Sequence, residues 1–201
     1  MKSYLVIDTS SKYLTVLAAN KGAETVVFVP DCALQHSVQL MDAIEKALGQ
    51  AGLCLADCDF FGAVTGPGSF TGIRIGISTA KGFCTGTGSL GMGVTSFEVL
   101  AYNTTKACLA VIDAGRGNYY VCGFDENKKT NIAPCCITLE QLLPLTEGRI
   151  ILSADRLPFA YESADVTVGL SRAVQAKMNA NAMGDLSAFY LKKSQAEEEK
   201  K

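Results

Sequence analysis

The chain has 201 residues, of which 48% are hydrophobic, enough for one large domain or two small ones with a proper core. Its net charge of −2 excludes a basic surface that would hold nucleic acid tightly by itself. No apolar run approaches the roughly 20 residues that cross a bilayer, and the N-terminus lacks a signal peptide's apolar core, so we expect a cytoplasmic protein without membrane contact.

Three strands and a helix are predicted over the first third of the chain. Short apolar and β-branched runs indicate strands at 4–7, 13–19 and 24–29, with a hairpin turn at 20–22. Apolar residues at helical spacing predict a helix over 37–48 that ends at Gly49. The residues expected to share one face of this helix are Val38, Met41, Ile44 and Leu48.

A glycine-rich run at 66–76 follows a predicted strand at 60–65 and opens a predicted helix at 72–84, with Ser69 or Thr71 as its N-cap. Such a turn exposes backbone N–H groups either to an anion or to a closely packed protein backbone. It is not a P-loop, because Ile73 and Arg74 follow Gly72 where that motif requires Lys and Ser or Thr. A G-x-G-x-x-G pattern at 86–91 lies between a helix and a strand, the reverse of the dinucleotide-binding order.

The second half repeats the opening pattern. A strand at 90–94 and a helix from Ser96 are followed by predicted strands at 108–113, 118–125 and 132–137. A short helix over 138–143 is expected to stop at Pro144, and the charge run at 197–201 to be a solvated helix end. The first strand of each half leads into an aspartate, Asp8 or Asp113, so we expect two α/β lobes related by duplication, at 1–103 and 104–201. The last helix is expected to pack back on the N-terminal lobe.

This order of elements resembles the actin/hexokinase/Hsp70 superfamily (the ASKHA fold), with the second lobe truncated. Within this superfamily, the sequence most resembles the bacterial TsaB (YeaZ) family. That family also carries an older label as a peptidase or glycoprotease homologue. The segments that carry this resemblance are 5–10, 36–37, 66–76, 79–82, 111–114 and 190–192. The last of these has Lys192 where the family pattern would have Arg.

The resemblance implies a role in forming N6-threonylcarbamoyladenosine at position 37 of tRNAs that read ANN codons. The family is similar in fold to the catalytic subunit TsaD but acts as its non-catalytic partner. The resemblance therefore implies that this chain binds a TsaD-like partner, with a TsaE-like ATPase in the same assembly. It also implies that the chain forms a homodimer in isolation and contacts tRNA only through the complex. The alternative function is an autonomous ATP-dependent phosphotransferase of the same fold.

The residues offer little support for chemistry by this chain itself. His36 is the single histidine, and the eight cysteines form no paired C-x-x-C, so neither a metal site nor a peptidase is expected. In a reducing compartment the cysteines are expected to serve as small hydrophobic residues. Candidates for contacting a nucleotide phosphate are Asp8, Thr9 and Ser10 in the first hairpin and Asp113 and Gly115 in the second, but no cofactor is predicted.

Without catalysis, the predicted helices at 37–48 and 72–84 become the expected functional surface. The small residues of the second helix would let another helix approach closely, and Arg74 lies in its first turn, where the helix dipole disfavours a cation. In the family these two helices form the face shared by the homodimer and the TsaD pair. The expected interface residues are His36, Met41, Phe70, Ile73, Arg74 and Ile77.

Overall fold

The computed structural model describes residues 1–192, so the charge run at 197–201 lies outside the described residues. The described chain forms two compact units. The first comprises Met1–Thr95 and Val174–Phe189, and the second comprises Ser96–Ala173 with the described residues that follow Phe189.

The first unit is built on a five-stranded sheet. Its strands are β1 (Tyr4–Asp8), β2 (Leu14–Asn20), β3 (Ala23–Val29), β4 (Phe60–Val64) and β5 (Leu90–Val94), in the order β3-β2-β1-β4-β5. The first three strands form an antiparallel meander, and β4 and β5 continue the sheet parallel to β1. Two helices, α1 (His36–Ala51) and α2 (Phe70–Thr87), connect β3 to β4 and β4 to β5.

Both faces of this sheet are buried at its centre, because β1 and β4 are apolar at nearly every position. On one face Leu5 and Ile7 pack in a cluster with apolar residues of α1 and α2, including Ile44 and Ile73. On the other face the Tyr4 ring stacks on Phe60 with 4.8 Å between ring centroids. The sheet therefore fixes α1 and α2 side by side on one of its faces.

The second unit holds another five-stranded sheet, in the order β10-β9-β6-β7-β8. Its strands are β6 (Cys108–Asp113), β7 (Asn118–Phe124), β8 (Thr130–Thr138), β9 (Ile150–Ser153) and β10 (Glu162–Ser163). The helices are α3 (Ser96–Ala101), α4 (Leu139–Thr146) and α5 (Val166–Asn179), of which α5 continues into the first unit at Val174. The predicted boundary at residue 103 falls inside this unit, because α3 packs on β6, β7 and β9.

The two sheets repeat one topology. In each, three antiparallel strands are followed by two strands parallel to the first, so β6 to β10 correspond in order and direction to β1 to β5. The predicted actin/hexokinase/Hsp70-like fold with duplicated lobes is confirmed. The second copy is the smaller one, since β10 has two residues and no described helix connects it to β9.

Several predicted element boundaries were wrong. Gly49 lies within α1, which runs to Ala51 and is capped by Gly52 in the left-handed conformation at φ 64°. Pro144 does not stop α4, which continues for two residues to Thr146. The proline lacks one helical N–H, but the loss is confined to the end of the helix. The sequence patterns also did not predict β9, β10 or α5. None of the described helices combines the length and apolar character needed to span a membrane.

Candidate functional site

The glycine-rich run forms the tight turn between β4 and α2. Ser69 is the N-cap of α2, and its Oγ accepts a hydrogen bond from the Gly72 N–H at 3.2 Å. Of the two predicted caps, Ser69 is therefore confirmed and Thr71 is wrong, because Thr71 already lies inside the helix.

The turn packs directly against the loop between β1 and β2. The Ser69 N–H donates to the Ser10 carbonyl at 2.6 Å, and the Thr9 hydroxyl donates to the Gly72 carbonyl at 2.7 Å. A Cβ at Gly72 would lie 1.9 Å from the Thr9 carbonyl oxygen, and a Cβ at Gly68 would lie 2.1 Å from the Ser10 carbonyl oxygen. The glycines are thus required because two stretches of this chain's own backbone meet here.

Asp8, Thr9 and Ser10 are buried beneath this turn. One carboxylate oxygen of Asp8 accepts hydrogen bonds from the Ser10 N–H at 2.8 Å and the Ser10 hydroxyl at 2.7 Å. Burial raises the pKa of the Asp8 carboxyl, although the Ser10 hydrogen bonds and the nearby His36 oppose the rise. The structure brings the three candidates of the first hairpin together, with their polar groups engaged inside the chain.

The raised pKa of Asp8 predicts that Asp8→Asn stabilises the protein relative to wild type as the pH increases. The Asp8 carboxyl stays protonated in the folded protein at pH values above its unfolded pKa of about 3.9. The free energy of unfolding of the wild type therefore falls as the pH rises from the unfolded pKa to the folded pKa. The variant retains an oxygen that can accept from Ser10 but carries no buried charge, and it should gain on the order of 1 kcal/mol at neutral pH. Urea unfolding of both proteins between pH 4 and 8 measures this, and a difference that shrinks with pH would contradict it.

The second hairpin has a different character. Asp113 and Gly115 are exposed there, and the Asp113 carboxylate accepts a hydrogen bond from the Gly115 N–H at 2.8 Å. Gly115, Arg116 and Gly117 all have positive φ angles, which defines a tight left-handed turn between β6 and β7. The carboxylate of Asp155 accepts from the Asp113 N–H at 3.0 Å. The hydrogen bonds of Asp113 and Gly115 therefore stabilise the turn between β6 and β7.

The surface of α1 carries an apolar stripe. Leu34, in the turn before the helix, and Val38 and Met41 on the helix are 98%, 74% and 54% exposed. Val38 and Met41 are three residues apart and therefore lie on one side of the helix, and Leu34 precedes them in the turn. The structure divides the predicted face of Val38, Met41, Ile44 and Leu48, because Ile44 and Leu48 are buried whereas Val38 and Met41 are exposed. The buried residues of α1 are His36, Leu40, Ala43, Ile44, Ala47 and Leu48.

A family model described as TsaD: tRNA N6-adenosine threonylcarbamoyltransferase matches residues 23–198. A relative from Escherichia coli (strain K12), named tRNA threonylcarbamoyladenosine biosynthesis protein TsaB, is 32% identical over 130 residues, covering 61% of this chain and 56% of the relative. One of the same name from Bacillus subtilis (strain 168) is 29% identical over 119 residues, covering 58% of this chain and 52% of the relative. This chain belongs to the TsaB (YeaZ) branch of the family.

The solved structure of YeaZ from Pseudomonas aeruginosa shares the fold of this TsaB-family chain. It has a TM-score of 0.79 at 19% identity and covers 95% of this chain and 100% of that one. The sequence matches are shorter, and this chain spans only about half the length of the curated TsaB relatives.

The structure divides the interface residues expected from the TsaB resemblance into two sets. Met41 and Arg74 are exposed and Phe70 is half-buried, with the Arg74 guanidinium 3.9 Å from the centroid of the Phe70 ring. The other residues, His36, Ile73 and Ile77, are buried within the first unit. The His36 Nε2 lies 2.9 Å from the Tyr13 carbonyl oxygen, a contact that fixes the start of α1. These three side chains lie beneath the surface because they occupy the sheet-facing sides of their helices.

The eight cysteines of this TsaB-family chain are free thiols. Burial raises the pKa of Cys58 and of Cys122 to about 11, so both are protonated at neutral pH and unsuited to act as nucleophiles. Among residues 1–192, no group of three or more His, Cys, Asp or Glu side chains is arranged to hold a metal ion.

Proposed function

We propose that this chain is a non-catalytic subunit that binds a TsaD-like catalytic partner through the outer surface of α1 and α2. The observation that carries the proposal is the stripe of Leu34, Val38 and Met41, three large apolar side chains that are more than half exposed, the last two on one side of α1 and Leu34 in the turn before it. Large apolar side chains that are exposed close together in the chain are a feature of protein-interaction sites. The Arg74–Phe70 pair at the start of α2 adds a cationic and aromatic element of the type enriched in interfaces.

The packing of the first hairpin favours this role over an ATP-dependent phosphotransferase. In the superfamily that hairpin grips phosphate, but here the Thr9 hydroxyl, the Ser10 carbonyl and the Asp8 carboxylate all bond within the chain. The turn from Gly68 to Gly72 occupies the space above the hairpin. A phosphate would have to displace this contact before it could reach the hairpin's backbone.

The names of the family model and of the relatives support a role in the biosynthesis of one modified tRNA nucleoside. The matching family model is described as a tRNA N6-adenosine threonylcarbamoyltransferase, and the curated relatives are named as biosynthesis proteins of the same modified nucleoside. The proposal therefore places this chain in the cytoplasmic complex that makes N6-threonylcarbamoyladenosine. A TsaE-like ATPase joins that complex, and tRNA contacts it through the partner, since a net charge of −2 provides no basic surface of its own.

Val38→Glu tests the proposed surface. The substitution places a carboxylate at the centre of the apolar stripe, and we expect it to weaken binding to purified TsaD by about 30-fold or more, as loss of an interface hot spot does. Binding is measured by isothermal titration and by co-elution in size exclusion. Leu143→Glu is the matched control, because Leu143 is also exposed but lies on α4 of the second unit and on neither helix of the proposed surface, and it should bind as wild type does.

Equal binding of TsaD by wild type and Val38→Glu would contradict the assignment of this surface. Sub-micromolar binding of Mg·ATP by the isolated chain would instead favour the phosphotransferase.

A further inference from the structure

The first unit contains a cavity of about 370 Å³ on the face of its sheet that carries the Tyr4 ring. Its lining includes Tyr4 of β1, Gly22 in the turn before β3, Glu24 of β3, and Gln175 and Met178 of α5. All of these residues belong to the first unit. A cavity of this volume is large enough to hold a small molecule.

The Glu24 carboxylate is held in place in the wall of this cavity. Its Oε1 accepts hydrogen bonds from the Tyr4 hydroxyl at 2.6 Å and from the Gln175 side-chain amide at 3.0 Å. The small side chain of Ala19 lies between Tyr4 and Glu24 in the strand pairing, which leaves room for the two to meet. Burial and the hydrogen bond to Glu24 raise the pKa of Tyr4, so its hydroxyl stays protonated and donates. The carboxylate is therefore preorganised to accept from a cationic group.

A cation and two thioethers also line the cavity. They belong to Lys2, Met1 and Met178. A Cβ at Gly22 would lie 2.6 Å from the Met1 Sδ, so glycine at this position lets the Met1 side chain pack against the turn. Methionine side chains are flexible and polarisable, and they adapt to apolar groups of varied shape. The cavity thus combines an anionic group, a cationic group and an apolar surface.

We propose that this cavity binds a small zwitterion with an apolar side chain, which is the chemistry of a free apolar α-amino acid. The Glu24 carboxylate accepts from the ammonium group of the ligand, and the Lys2 ammonium donates to its carboxylate. The thioethers of Met1 and Met178 pack on the apolar side chain of the ligand. A simple cation would be repelled by Lys2 and a simple anion by Glu24, so the lining favours a ligand with both charges.

This cavity is separate from the surface proposed to bind TsaD. The Tyr4 ring lies on one face of the sheet, whereas α1 and α2 pack on the other face, with Leu5 and Ile7. Binding of a small molecule therefore goes beyond the proposed function and does not depend on it.

Isothermal titration of the full chain with L-leucine, leucinamide and N-acetyl-leucine tests the charge requirement. We expect leucine to bind with a dissociation constant of about 1 mM or lower. Leucinamide lacks the carboxylate and N-acetyl-leucine lacks the ammonium group, so each should bind more weakly by about tenfold or more. Equal binding of leucine and leucinamide would overturn the assignment of a zwitterion, and no binding at about 10 mM leucine would overturn the site.

Glu24→Gln tests the role of the carboxylate. The variant keeps an oxygen that can accept from Tyr4 and Gln175 but loses the charge, and it should weaken leucine binding by about tenfold or more. Glu45→Gln is the matched control, because Glu45 is exposed on α1 and lies outside the cavity lining. The control should bind leucine as wild type does, and leucine binding that Glu24→Gln leaves unchanged would contradict the proposal.

Two further measurements locate the ligand. Circular dichroism shows which variants are folded, and Lys2→Gln, at an exposed position, keeps the test decisive if Glu24→Gln fails to fold. It should weaken leucine binding by about fivefold. In NMR spectra of protein labelled with ¹³C at the methionine methyl groups, leucine should shift the signal of Met178 and leave that of Met41 in place. A shift at Met41 without one at Met178 would place the ligand elsewhere and overturn the proposal.

Discussion

Replacing Gly72 with alanine is expected to destabilise the protein by about 3 kcal/mol or more. The new Cβ would lie 1.9 Å from the Thr9 carbonyl oxygen, a backbone atom that cannot rotate away. Relief requires α2 to move off the first hairpin, which breaks the hydrogen bond from the Thr9 hydroxyl to the Gly72 carbonyl. For a chain of this size the melting temperature should fall by about 6–12 °C, measured by calorimetry or circular dichroism.

Gly82→Ala is the matched control for this experiment. Gly82 lies in the same helix and is exposed, and a Cβ there would meet no atom within 4 Å. Alanine at this position should stabilise α2 by about 0.5–1 kcal/mol, because glycine is a poor helix former. If both variants melted alike, the close contact between α2 and the first hairpin would be refuted.

The prediction of the fold from sequence succeeded where local pattern and global structure agree. The strands at 4–7 and 60–65 and the aspartates that end the first strand of each half indicated duplicated sheets, and the pairing of both sheets confirms them. The glycine-rich run predicted a turn capped by Ser69, since the capping residue and the backbone freedom are local properties.

The exposed stripe on α1 could not be read from the sequence in the same way. Val38 and Met41 share helical spacing with Ile44 and Leu48, so periodicity alone placed all four on one face, without showing which of them are buried. Small residues such as Ala43 and Ala47 face the core instead, because α1 packs closely on β2 and β3. Which apolar residues of a helix are buried depends on its tertiary packing. A hydrophobic pattern therefore cannot distinguish core residues from residues that bind a partner.

β9, β10 and α5 were missed for a related reason. β10 has two residues, which is too short for an alternating pattern, and β9 has four residues and pairs with β6, a strand much earlier in the chain. In α5, Gly169 is a weak helix former that the packing requires, since a Cβ there would lie 1.9 Å from the Val99 carbonyl oxygen. Tertiary contacts override local propensity at these positions.

Ile73→Glu and Met41→Glu should give opposite results, although both residues were expected at the interface from sequence. Ile73 is fully buried against the first unit's core, so a carboxylate there has no solvent and no partner. We expect Ile73→Glu to lower the free energy of unfolding by about 4 kcal/mol or more, and any loss of TsaD binding would follow from unfolding. Met41 is 54% exposed, and Met41→Glu should change stability by less than about 0.5 kcal/mol while weakening the complex.

Urea unfolding and TsaD titration of the same two variants separate folding from binding. From the structure we expect Ile73→Glu to lose stability and Met41→Glu to lose affinity for TsaD at unchanged stability. A stably folded Ile73→Glu that no longer binds TsaD would show that Ile73 contacts the partner directly. The packing of α2 on its own sheet would then have to open on binding, and the glycine contacts at the first hairpin would be the part of α2 most directly strained by that movement.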